Sequence, residues 1–218
     1  MYVEWEPLRG LADNEARALL QMGKRRRFAR NEVVFHRGDP AETLHVIRSG
    51  TFLVQATTPL GDTGILQILG RGQSFGEVAL LSSAPRSATV LALERSETLS
   101  LHQRDFDRLR REHRAATDVL LGLIVEDVRR LSDRLIEALY IPAEKRVLRR
   151  LADVADFYAK EGEPGEVPLT QEQIASFAGT SRATVNRVLR EEERRGTLEL
   201  HRGTTVVLDA EKLKQRAR

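Results

Sequence analysis

The spacing of apolar positions changes along the chain. From Glu32 to Leu101 they fall in short β-branched or apolar runs: Val33 to Phe35, Leu44 to Ile47, Thr51 to Ala56, Gly64 to Leu69, Thr89 to Leu93 and Thr98 to Leu101. Gly38, Gly50, Gly61, Gly70 and Gly72 punctuate them. Short strands separated by turn residues at this spacing predict a β-barrel or roll. Ahead of it, Asp13, Asn14 and Glu15 with Ala16, Leu19 and Leu20 read as an N-capped helix ending near Gly23. After Arg104 the helical period takes over, first in the charged Asp105 to His113, then from about Ala115 to Leu139. In that long helix Leu121, Ile124, Val128, Leu131, Leu135 and Ala138 advance by 3, 4, 3, 4 and 3, one seam of a and d positions. The seam suits burial against a second copy, making a homodimer, or packing on its own domain. Leu120 and Leu123 lie off the seam and offer a second apolar face to the β-roll.

Pro142 lacks an N–H and clashes with a preceding helical turn, so it breaks the long helix and makes Tyr140 to Pro142 a hinge. A further helix runs from Ala143 to about Lys160, and Gly162, Pro164 and Gly165 mark a loop. Thr170 and Gln173 then form a capping-box pair opening a short helix, and Gly179 breaks it. Ser181 caps a second helix. Val185, Val188 and Leu189 share its inner face, while Arg182, Ala183, Asn186, Arg187 and Arg190 share the other. This is helix-turn-helix spacing, with Ile174, Ala178, Val185 and Val188 as its core. Gly196 ends the second helix. Leu198 to Leu200, His201-Arg202-Gly203 and Thr204 to Leu208 make the hairpin of a winged fold. The second helix fits the major groove of double-stranded DNA, where arginine pairs with guanine and asparagine with adenine. Thr170, Ser181 and Thr184 would hold phosphates and fix register without reading sequence.

Composition removes alternatives. With 218 residues, two modest cores and a connector are the natural division. There is no cysteine, which excludes disulfides, thiolate zinc sites and cysteine nucleophiles. Histidines 36, 45, 102, 113 and 201 show no metal-ligand pairing, so no metal and no enzymatic activity are expected. No apolar stretch approaches the ~20 residues of a membrane span, and Met1 to Pro7 lack the features of a secretory signal; a cytoplasmic protein is expected. The net charge of +3 is small, so nucleic-acid binding depends on local clustering. The run Lys24 to Arg27 reads as a solvated face and a candidate contact for RNA polymerase. Gly70, Gly72 and Gly76 miss the spacing of a dinucleotide loop.

One string carries ligand chemistry: Phe75-Gly76-Glu77-Val78-Ala79-Leu80-Leu81-Ser82-Ser83-Ala84-Pro85-Arg86-Ser87-Ala88-Thr89-Val90. It resembles the phosphate-binding cassette of cyclic-nucleotide-binding domains. With the helix-turn-helix downstream, nearly the whole chain resembles the catabolite activator (cyclic-AMP receptor) family, within the larger CRP/FNR group of regulators. The resemblance implies an α+β protein: a cyclic-nucleotide-binding β-roll over residues 1–113, a dimerisation helix and hinge over 114–141, and a winged helix-turn-helix over 142–218. It also implies cyclic AMP as allosteric effector. The cassette is consistent on its own terms. Gly76 admits a close ligand, a short helix begun at Val78 and Ala79 aims N–H groups at an anion, and Arg86 neutralises the cyclic phosphate. Glu77 would accept from the ribose hydroxyl, and Ser87 would add a phosphate donor.

Two positions depart from the family pattern. The long-helix Thr-Ser pair that meets adenine is Leu131-Ser132 here, leaving Ser132 alone to bond the base. A regulator of the same fold that is effector-independent, or that senses another small molecule or haem, is the alternative. On the recognition helix the resemblance assigns guanine reading to Arg182 and Arg187, but Ala183 replaces the usual glutamate and cannot accept from a cytosine amine. Asn186 sits one turn on and is placed for an adenine.

Overall fold

A computed structural model describes residues 5, 17, 20–58, 61–80, 82, 84–112, 115–159 and 164–218. Most of the helix predicted from Asp13, Leu81 and Ser83 of the cassette string, and Gly162 lie outside the described residues. Contacts divide the chain into two compact units, one taking residues up to Ala56 and Ile68–Ser132, the other Thr57–Gln67 and Asp133–Arg218.

The strands ahead of the long helices are β1 (Lys24–Phe28), β2 (Val33–Phe35), β3 (Thr43–Ser49), β4 (Phe52–Thr57), β5 (Thr63–Leu69), β6 (Ser74–Phe75), β7 (Thr89–Ala92) and β8 (Ser96–His102), all in the first unit except the end of β4 and the start of β5. They form two four-stranded sheets, ordered β1-β8-β3-β6 and β2-β7-β4-β5. Phe28, Ile47, Phe52, Phe75 and Val90 make one buried cluster of this roll. Leu44, Val46 and Leu101 pack instead with Phe106 of α1 (Gln103–Glu112) and with Val119 and Leu120 of α2 (Ala115–Tyr140). Leu120 is 1% exposed and Leu123 packs against the same cluster, so the off-seam face of the long helix covers the roll as expected. Along the seam, Leu121, Val128, Leu131 and Leu135 are more than half exposed in the single chain.

Two strands of this unit were not anticipated. β1 is the run Lys24 to Arg27 closed by Phe28, paired antiparallel with β8 from Lys24↔Ser100 to Phe28↔Ser96. Backbone bonds hold it, and its four basic side chains are solvated on a sheet edge, a placement that discourages edge-to-edge pairing. β6 is only two residues, held by His45 and Val46 of β3.

In the second unit, Pro142 caps α3 (Ala143–Tyr158) without a side-chain bond, and the long helix stops just before it. Glu137, near the end of α2, bonds Arg149 at 2.9 Å and also the buried Arg150 of α3. β9 (Gly165–Val167) replaces the expected loop and pairs with β11. The helix-turn-helix is α4 (Gln171–Ala178) and α5 (Arg182–Arg194), followed by β10 (Leu198–His201), β11 (Thr204–Val207) and α6 (Ala210–Arg216). The capping box forms in both directions, Gln173 N–H to Thr170 Oγ1 and Thr170 N–H to Gln173 Oε1. Gly179 takes the left-handed conformation, φ 62°, that the turn requires. Glu192, 2% exposed, accepts from Thr197, Arg195 and Arg216, tying the end of α5 to the wing and to α6.

Candidate nucleotide and DNA sites

Arg86 stands at the centre of the cassette. It is 7% exposed. Its Nη2 donates to Thr43 Oγ1 at 2.8 Å, and its guanidinium carbon lies 3.9 Å from the centre of the Phe35 ring. Its backbone is pinned to the loop after β2, donating to Asp39 O and accepting from Gly38 N, both at 2.9 Å. Burial pulls its pKa below the ordinary arginine value, while Glu77 and then Asp39 favour the charge. An arginine does not deprotonate in a protein, so this is a buried cation. Its Nε is buried without a hydrogen-bond partner. A buried, unsatisfied donor on a cation is costly unless an anion completes it.

Gly76 makes this arrangement possible. It has φ +84°, and a Cβ there would lie 2.6 Å from Arg86 Nη1 and 2.9 Å from Thr43 O. The next residues form a single 3₁₀ turn, Glu77–Leu80, rather than a helix begun at Val78 and Ala79. Four residues leave room for only one turn before the chain must bury Leu80, which is 2% exposed. Of the residues singled out in the sequence, Gly76, Glu77 and Arg86 are brought together. Val78 is 38% exposed on the turn, and Ser87 is exposed just beyond Arg86. Ser132 is exposed on α2, its hydroxyl donating to Val128 O at 2.9 Å.

The sequence reading missed three contributors to this site. Phe35 and Thr43 each touch Arg86, but an aromatic and a threonine in strands read as core. Arg130 of α2 is half-buried: burial lowers its pKa, and Glu77 is the first of the charges that raise it. Arg130 lies beside Leu131 but off the seam, so a search for apolar periodicity passes over it.

In the second unit, Thr170, Gln171, Arg182, Asn186, His201 and Gly203 line one groove of about 480 Å³ between the helix-turn-helix and the wing tip. Ser181 Oγ caps α5, accepting from Thr184 N at 3.2 Å and lying 3.1 Å from Thr184 Oγ1. Arg182, Ala183, Asn186, Arg187 and Arg190 are exposed, while Val185, Val188 and Leu189 are buried, as the helical period requires. Three of the exposed side chains already have partners. Asn186 Nδ2 donates to Gln171 Oε1 at 3.3 Å, Arg190 to Glu193 at 2.9 Å, and Arg187 to Glu144 of α3 at 2.5 Å. Backbone bonding and then Arg187 hold the Glu144 carboxyl below the usual carboxylate range. These are solvent-exposed pairs, which a phosphate or a base edge can displace. Arg146 was also missed: it donates to Ile141 O, Ala178 O and Gly179 O, joining the hinge carbonyl to the turn of the motif.

No helix among the described residues is long and apolar enough to cross a membrane, and none of their side chains cluster as metal ligands. Comparisons with known proteins follow the same division. Residues 25–113 match the cyclic nucleotide-binding domain, and residues 145–216 match the Crp-like helix-turn-helix domain. A CRP-like cAMP-activated global transcriptional regulator of Mycobacterium tuberculosis is 30% identical over 88% of this chain and 87% of its own length. The cyclic AMP receptor protein of Thermus thermophilus is 30% identical over 94% of each chain. Among solved structures, the Thermus thermophilus catabolite activator protein covers 97% of each chain at 30% identity, with a TM-score of 0.56. A CRP-family transcriptional regulator from the same organism covers 88% of this chain and 96% of its own, with 26% identity and a TM-score of 0.74. These relatives are regulators rather than enzymes, and a cyclic nucleotide-binding domain in one part of the chain with a Crp-like helix-turn-helix in the other fits them: the chain belongs to the CRP/FNR family of cyclic-nucleotide-binding transcription regulators.

Proposed function

We propose that this chain is a cyclic-AMP-responsive regulator that acts as a homodimer, binds an inverted-repeat DNA site and works with RNA polymerase in the cytoplasm. The observation that carries the effector reading is Arg86, a buried cation whose Nε has no partner, held against Gly76 at a distance that a Cβ there would forbid. A cyclic phosphate supplies the missing acceptor, Glu77 takes the ribose hydroxyl, Ser87 adds a donor, and the backbone of Gly76, Val78 and Ala79 borders the ligand. Ser132 serves the base from the partner copy. Support for cyclic AMP over other nucleotides comes from the names of the relatives, since Leu131 offers the base no hydrogen bond. The exposed seam of α2 supports dimerisation: leaving so many large apolar side chains in water is unfavourable, and a second copy covers them symmetrically.

The cyclic-nucleotide-binding β-roll, the dimerisation helix with its hinge, and the winged helix-turn-helix take residues 1–113, 114–141 and 142–218. Thr170, Ser181 and Thr184 hold phosphates, and Arg182, Asn186, Arg187 and Arg190 face the groove. Effector binding biases a two-state equilibrium of the dimer, and the hinge at Tyr140 to Pro142 sets how the two recognition helices are presented. The test is fluorescence anisotropy of an inverted-repeat duplex with half-sites ~34 Å apart. Affinity should rise at least tenfold on adding cyclic AMP. Equal affinity with and without it would overturn the effector reading.

A further inference from the structure

Behind Arg86 a chain of hydrogen bonds runs into the roll. Thr43 Oγ1, which accepts from Arg86 Nη2, lies 3.2 Å from His45 Nε2, and His45 Nδ1 lies 3.0 Å from Thr98 Oγ1. Thr43 and His45 are two residues apart on β3 and so share a face, and Thr98 is on the neighbouring β8. His45 is 4% exposed and Thr98 is fully buried. The imidazole stacks on Phe75 at 5.1 Å between centroids, with planes 5° apart, and meets Phe28 and Phe35 at wider angles. Phe35 is the same ring that carries the Arg86 guanidinium. Every polar atom of the imidazole is therefore committed to one threonine or the other, and its faces are walled by aromatic rings.

We infer that His45 is a positioning residue for the effector site: it fixes the Thr43 hydroxyl, and through it the aim of Arg86 at the anion. Proton counting gives the direction. Burial, then the Arg86 and Arg26 cations, press the His45 pKa from 6.5 to about 3, so the ring is neutral and carries one N–H. Thr43 Oγ1 already accepts from a cation, and its own single proton needs an acceptor. Nε2 is that acceptor when the ring proton sits on Nδ1 and is donated to Thr98. The opposite tautomer would turn a second N–H onto an oxygen that already faces the guanidinium. The relay thus holds a Thr43 lone pair toward Nη2 and leaves Nε for the ligand. This rests on the effector reading above, and because it acts on the phosphate arm it predicts equal effects on cyclic AMP and cyclic GMP.

The experiment is calorimetric titration of wild type, His45→Phe, Thr43→Val and the double variant with both nucleotides, each first checked for native circular dichroism. His45→Phe keeps an aromatic stack and removes both ring nitrogens. It should weaken both nucleotides about tenfold, leave their ratio unchanged, and add nothing to Thr43→Val. If His45→Phe does not fold, Thr98→Val breaks the far end of the relay and should weaken binding in the same ratio-preserving way. In the free protein, nitrogen NMR should find the His45 proton on Nδ1. Unchanged affinity in the folded variants, additive losses, or a proton on Nε2 would overturn the relay and leave the effector reading standing. Wild type that binds neither nucleotide would overturn both.

Discussion

His45 shows how one side chain couples the cassette to pH. Its folded pKa of about 3 lies below the 6.5 of the free group, because the buried ring cannot accommodate a charge beside Arg86. Above pH 6.5 the ring is neutral whether the chain is folded or not, and the full stability is present. As pH falls below 6.5 the unfolded chain takes up a proton that the folded one refuses until about pH 3. The loss is about 1.4 kcal/mol per pH unit, hence roughly 2 kcal/mol between pH 7 and pH 5. Urea unfolding at these two pH values should show wild type losing about that much more stability than His45→Phe. Equal losses would mean that the ring is protonated in the folded state. At this scale the sequence is legible where a residue type is unusual for its setting. Gly76 and Arg86 stand out in a cassette string, whereas Thr43 and His45 look like ordinary strand residues. What distinguishes them is a hydrogen-bond path through space, and no spacing along the chain encodes it.

Elements were legible where their ends carry chemistry. Thr170 with Gln173, Gly179 and Ser181 mark the boundaries of α4 and α5, and the structure forms the caps they imply. β1 and β9 were not legible. Four basic residues in a row mask a strand that pairs with β8 through its backbone, and Gly165 reads as a turn although a three-residue strand pairs there with β11. The recognition helix supplies the prediction at this level. With Ala183 exposed where the resemblance implies a glutamate, one pair in each proposed half-site should go unread, and a mismatch there should cost less than the ~1–3 kcal/mol of a contacted position. A randomised-site selection should show Ala183→Glu sharpening one symmetric position and Arg187→Ala relaxing another. If Arg187→Ala weakens all sequences equally, Arg187 contacts phosphate and does not read a base.

At the scale of the whole molecule, the long helix carries two apolar faces, one that covers the roll and one that we propose covers a second copy. Leu120 is buried against the roll, while Leu131 and Leu135 are 63% and 60% exposed. The 3-4 spacing made both faces visible, and in the single chain the second is exposed. Leu131→Glu with Leu135→Glu should give monomers by light scattering, with loss of DNA binding; an unchanged dimer mass would place the interface elsewhere. The central claim, that the cassette is a receptor for a cyclic nucleotide centred on Arg86, is tested most directly by calorimetric titration of cyclic AMP into wild type and Arg86→Ala. Wild type should bind at micromolar affinity or tighter, and Arg86→Ala should give no heat while keeping its circular dichroism, because the phosphate then enters the pocket without its counter-charge. No heat from wild type at millimolar cyclic AMP, or undiminished binding by Arg86→Ala, would contradict the account.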